Sequence, residues 1–195
     1  MNEVARRLLG RLDELSAAMV AAYRERIPEY MALLQNDSED VRGVSRVAAK
    51  TFLEVVIHDR EPNEAELNVI RRSGQTRAAQ GIALEAMLQA YAVGREIVWQ
   101  FIEAEAQRSA VDEDQIAMVA HRLTRFMDRL TLMVTQGFLD HMRLAYEEER
   151  QRLTALADLG KAVNRSLDLA EVVTVGLERT LAALGVEYVK ADPDG

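Results

Sequence analysis

Only three prolines, Pro28, Pro62 and Pro193, and ten glycines interrupt the 195 residues of this chain. Proline lacks the backbone donor that a helix interior needs and clashes with the preceding turn, so each one marks where a helix starts or stops. From about Glu113 to roughly Arg165 there is no proline, and apolar residues keep a helical period. That run is long for a globular helix. The dominant residues, alanine, leucine, arginine and glutamate, are helix formers. The fold class predicted is all-α, with a long helix towards the C-terminal end.

The punctuation divides the remainder. Val4, Leu8, Leu12, Leu15, Met19 and Tyr23 fall at helical spacing and predict one helix over about 4–26. Pro28 restarts the chain as a short helix to Leu34. "QNDSED" then supplies a turn, with Asp37 or Ser38 as the cap of the next helix. That helix carries Val41, Val44, Val47, Ala48, Phe52, Val55 and Val56. Pro62 opens another to about Gln80, and Gly81 separates it from "IALEAMLQAYAVGREIVWQF". Asp112 is the expected cap of the long helix.

Along the long helix a 3,4-spaced stripe runs through Leu139, Met142, Tyr146, Glu149, Leu153, Leu156, Gly160, Val163 and Leu167. Such alternation is the seam of a two-stranded coiled coil, here expected to be parallel and to make a homodimer. The other reading is an amphipathic helix packed on its own domain, but the flanks "YEEERQR" are dense in charge and suit solvent. Asp168 and Glu171 form a D-x-x-E capping pattern that predicts a helix restart. Residues 186–195 read as a strand-like run ending in an Asp-Pro-Asp-Gly turn. The expected organisation is therefore a helical domain over 1–145, a linker helix over 146–167 and the incomplete start of a second domain over 168–195.

Composition excludes several classes. A net charge of −8 and a pI near 5.0 leave no general basic surface for nucleic acid. Without cysteine there are no disulfides and no thiolate chemistry. No run of about 18 apolar residues suggests a membrane span, and "MNEVARRLLGRLDELSAAMV" does not read as a signal peptide, so the expected location is cytoplasmic. No nucleophile elbow, phosphate loop or acidic metal cluster is visible, and neither a reaction nor a cofactor is expected. His58 reads as a helix-end residue that favours the C-terminal dipole. It lacks the lysine and small residue that follow a phosphotransfer histidine. His121 reads as partly exposed beside Arg122 and Arg125, and His141 as a packed histidine. No two histidines stand at i, i+4 as a metal pair requires.

One arginine raises a question. On the face Leu84, Leu88, Tyr91, Arg95, Val98, Ile102 it stands among apolar and aromatic side chains. A guanidinium is costly to bury unless it is paired. Three readings stay open: Arg95 snorkels to the rim, pairs with Glu54, Glu85 or Glu96, or holds an anionic ligand or a partner's carboxylate. The expectation is an Arg95 that is partly buried and charge-matched. With Met87, Tyr91 and Trp99 it forms a candidate pocket for a small acidic or apolar ligand.

"YRERIPEYMALL" (23–34) and "RSGQTRAAQGIALEAMLQAYAVGREIVW" (72–99) resemble the N-terminal domain of RsbR-type stressosome proteins. The same domain stands at the front of regulators of the PucR type. The resemblance covers about residues 5–150. It implies a globin-like, non-haem sensory domain that dimerises and passes a signal along a helix to a downstream domain, transcription regulators among its owners. Ala83 and Ala92 stand where the family commonly has proline and arginine. The tail from Leu156 onward resembles a linker helix and the opening of a GAF domain.

Overall fold

The computed structural model describes residues 2–183, which form seven helices and no strand. These are α1 (Asn2–Leu9), α2 (Leu12–Arg26), α3 (Pro28–Asn36), α4 (Ser38–His58), α5 (Glu64–Ala79), α6 (Leu84–Arg108) and α7 (Glu113–Ala183). The all-α expectation is met. Residues to Leu144 pack as one unit and residues from Ala145 as another.

The first unit has a single core. α2 packs on α4 and α6, and α1 fills the space between the same two helices. Leu8, Leu15, Phe52, Leu53, Ile70, Met87, Ile102, Leu130 and Val134 are among its fully buried side chains. Phe52 of α4 meets Phe126 of α7 with ring centroids 5.4 Å apart. The stripe of α7 that enters this core is Val119, Leu123, Phe126, Leu130, Val134.

Local chemistry sets the helix ends. Pro28 is at the first position of α3, and Ile27 before it is extended, as a residue preceding proline prefers. Asn63 caps α5: its side chain accepts from the Glu66 amide, while the Glu66 carboxylate accepts from the Asn63 amide. Pro62 thus precedes this helix rather than opening it. Arg60 grips the same Glu66 through both nitrogens, at 2.6 and 2.8 Å, and holds its carboxyl below the usual range. The α4–α5 loop is fastened to α7 by Arg122 on Asp59 and Arg129 on Glu61. Gly81 closes the α5–α6 turn at φ +74°, a conformation that side chains with a Cβ rarely adopt.

α5 and α7 cross backbone to backbone. A methyl group at Gly74 would overlap the Val134 carbonyl, and one at Gly137 would overlap the Arg71 carbonyl. Arg71 also pairs with Asp140 across the crossing.

Two expectations need correction. The predicted helix over 4–26 is two helices, broken at Gly10–Arg11, where the amides bond back three residues to Arg7 and Leu8. The break lets α1 bury Val4 and Leu8 against α4 and α6, contacts that no local pattern encodes. Second, no helix restarts at Asp168: α7 continues through it to Ala183. The capping pattern has no effect there because no proline or chain reversal frees the backbone amides that a cap would satisfy.

In α7 the coiled-coil stripe is solvent-facing. Leu139 and Met142 in the first unit, and Tyr146, Leu153, Leu156 and Val163 in the second, are about half exposed or more. The Leu167 side chain and the strand-like run over 186–195 lie outside the described residues.

Candidate functional site

The four candidate ligand residues do not form one site. Met87 and Tyr91 point into the first unit, whereas Arg95 is exposed and Trp99 half-buried. Arg95 and Trp99 line a surface groove of about 480 Å³ with Arg26, Gln89, Glu96 and Thr124. Among the described residues no carboxylate pairs with Arg95. Glu96, one of its three proposed partners, is taken by Arg26 at 2.8 Å, which holds that carboxyl below its ordinary range. The expectation of a partly buried, charge-matched Arg95 is therefore overturned. The buried stripe of α6 is Met87, Ala90, Gly94, Val98, Ile102, Glu105, and Arg95 stands beside it. Small residues occupy the centre of that stripe, so the larger side chains next to it mislead.

Among the described residues the buried charges are Arg77 and Glu105 instead. Glu105 receives Arg7 at 3.2 Å, Arg108 at 3.3 Å and Arg11 at 3.5 Å, which fastens α1 to α6. Hydrogen bonding to Arg7 first, and then to Arg108, holds its carboxyl low. Arg77, in the last turn of α5, bonds Asp40 at the start of α4 and Gln80 at 2.6 Å. Gln80 in turn donates to Asp37 at 3.1 Å.

Arg77 is also one wall of a partly open cavity of about 50 Å³. Its polar lining is Tyr23 and Tyr30, from either side of Pro28, with Ser45, Ser73, Tyr91 and Arg77. Its apolar lining includes Met19, Met87 and Met127. Tyr23 and Tyr30 pack ring to ring at 5.7 Å. Ser45 acts on Tyr23, and Arg77 on Tyr30, to favour the phenolate. Ser73 donates to the Ile70 carbonyl at 2.7 Å and lies 3.4 Å from the Tyr91 hydroxyl. The single Ser73 proton is committed to Ile70, so Tyr91 donates to Ser73. Of this lining, sequence reasoning marked only Met87 and Tyr91 as ligand residues. The signal it missed was the pair of tyrosines flanking a helix-breaking proline.

Burial is the largest influence on all three tyrosines, because the interior disfavours the phenolate. It pushes Tyr91 up to about 12 and raises Tyr23 and Tyr30 from their ordinary value. The unfolded chain therefore gives up these protons first. The folded state keeps its full advantage below about pH 10 and loses it above, at up to about 1.4 kcal/mol per pH unit for each tyrosine. Urea midpoints are expected to fall steeply between about pH 10 and 12. A flat profile there would show that the hydroxyls meet solvent in the folded protein.

Among the described residues no cluster of three or more His, Cys, Asp or Glu is placed to hold a metal ion. His58 ends α4 exposed, His121 is exposed and His141 is half-buried. No helix among the described residues is long and apolar enough to cross a membrane.

The first unit is all-helical, and its last helix continues past Leu144 to Ala183. The chain matches the model of the RsbT co-antagonist protein rsbRD N-terminal domain over residues 13–159 and belongs to that family. It is accordingly a signalling module of the stressosome type. Comparison with curated proteins and with solved structures gave no match.

Proposed function

We propose that this chain is a non-enzymatic sensory and dimerisation module, cytoplasmic, whose long helix carries a signal to a domain that follows, in the manner of transcription-regulating proteins. The observation that carries this reading is the exposed stripe of α7. Leu139, Met142, Tyr146, Leu153, Leu156 and Val163 stand at 3,4 spacing with about half or more of each in solvent. Leucines repeated at that spacing on a charged helix are matched by a second copy of the same helix. The stripe of α7 buried in the core faces elsewhere. Leu132, 54% exposed, is two positions and so about 200° round from the buried Leu130.

Replacing Leu153 and Leu156 together with glutamate puts four like charges into the centre of the paired seam. The expected result in light scattering is monomer, with the fold of the first unit retained. A double variant that stays fully dimeric would place the interface elsewhere.

A scaffold that dimerises without a ligand is the second reading. It draws support from the cavity wall, since no buried side-chain nitrogen or oxygen among the described residues lacks a hydrogen-bond partner. Native mass spectrometry separates the two, because a retained small molecule speaks for the sensor and a clean dimer for the scaffold.

A further inference from the structure

The exposed stripe of α7 includes one charged residue, Glu149. With Leu139 at heptad position a and Met142 at d, the 3,4 spacing places Tyr146 and Leu153 at a, and Glu149, Leu156 and Val163 at d. A carboxylate in an apolar seam is costly unless an opposite charge reaches it. The neighbours of Glu149 sort by sign. Arg150 at e and Arg152 at g border the seam, while Glu147 at b and Glu148 at c lie on the outer side.

The chain does not match this charge by itself. Glu149 and Arg150 are both exposed, and among the described residues neither side chain has a hydrogen bond or an ion pair. Arg150 does not face Glu149 of its own helix, because adjacent residues point about 100° apart. A second copy removes that obstacle. In a parallel, in-register pair each d side chain enters a hole formed by a, d, e and the next a of the facing helix. For Glu149 that hole is Tyr146, Glu149, Arg150 and Leu153 of the second copy. The layer then holds two carboxylates and two guanidinium groups, and it is neutral.

Other pairings lose the match. A parallel slip of one heptad sets one Glu149 against Leu156 and beside Ala157, which carries no charge. An antiparallel pair sets d against a, so Glu149 faces an uncharged residue such as Leu153.

We propose that Glu149 and Arg150 form an interchain charge layer that admits one partner to the α7 seam: a second copy of this chain, parallel and in register. This deepens the dimerisation reading and rests on it. The layer lowers the stability of the pair and raises its specificity, as single polar positions in coiled coils do.

The test uses the whole chain, which has no cysteine, so one introduced thiol reports one contact. Leu156→Cys and Val163→Cys, each alone, should both form disulfide-linked dimers under mild oxidation. An antiparallel pair can bring only one of these positions against its own copy. Glu149→Arg gathers four guanidinium groups in the layer, and Arg150→Glu gathers four carboxylates. Each should weaken dimerisation about tenfold or more in light scattering, because like charges then meet in a closed interface. Mixed in equal amounts, the two variants should pair with each other, since their shared layer is again two and two. Glu148→Arg, the same charge change at c, should leave dimerisation unchanged. All three positions are exposed, so circular dichroism should show the variants as helical as the parent.

Failure of the mixture to pair overturns the layer. So does a Glu149→Arg protein as dimeric as the parent, equal weakening by Glu148→Arg, or a disulfide at one or neither of the two cysteine positions. The layer and the seam fail separably. If glutamate at Leu153 and Leu156 breaks the dimer while Glu149→Arg leaves it intact, the layer falls and the seam stands. A monomeric parent overturns both.

Discussion

Gly137→Ala is expected to destabilise the first unit by about 3 kcal/mol or more, a large share of the roughly 5–15 kcal/mol that holds a domain folded. The added methyl overlaps the Arg71 carbonyl, and a backbone atom in a helix cannot rotate aside as a side chain can. α5 must move away from α7, and the Val134 carbonyl, packed on Gly74, moves with it. The control is Gly43→Ala in α4, where nothing lies within 4 Å of the new methyl. That change should stabilise by about 0.5–1 kcal/mol, since alanine is the better helix former. Urea denaturation of the two variants should therefore shift in opposite directions. A neutral Gly137→Ala would mean that the helices are further apart than the structure places them.

The second large effect is asymmetric. Asp40→Ala strands the Arg77 guanidinium, whose side chain is only 5% exposed, with neutral partners alone. Breaking a buried pair from one side leaves an uncompensated charge, and the expected loss is about 2–3 kcal/mol, since Asp40 itself is 43% exposed. Arg77→Met removes the charge, keeps much of the stem and leaves Asp40 free to hydrate, so its cost should be below that of Asp40→Ala. Thermal melts in which Arg77→Met proves the more damaging would show that packing, not pairing, keeps the arginine inside.

Much of the helical order was legible because its causes are local. Pro28 starts α3 by its own ring geometry, and Gly81 ends a helix by the φ that it alone tolerates easily. The Asn63 cap and the Gly10 break were less visible, since each competes with a stronger neighbouring signal. The site was mostly illegible. Tracing α6 through its largest residues put Arg95 inside, whereas the buried stripe passes through Ala90 and Gly94. A methyl at Gly94 would lie 2.7 Å from the Tyr23 hydroxyl, so that glycine is explained by a residue of α2. Arg77 is buried by Asp40, thirty-seven positions away in sequence. A charge whose reason lies on another helix has no local pattern to betray it.

The exposed stripe of α7 also has a phase, as a coding sequence has a reading frame. Each residue advances a helix by about 100°, and seven return it to within about 20° of its starting direction. One extra residue between Tyr146 and Leu153 leaves the helix intact and every side chain present, yet turns Leu153, Leu156 and Val163 a quarter-turn or more from the line that Tyr146 begins. Seven extra residues restore that line. A library of inserted lengths should accordingly recover pairing with a period of seven, so that length alone, with no change of chemistry, is enough to switch the helix off and on.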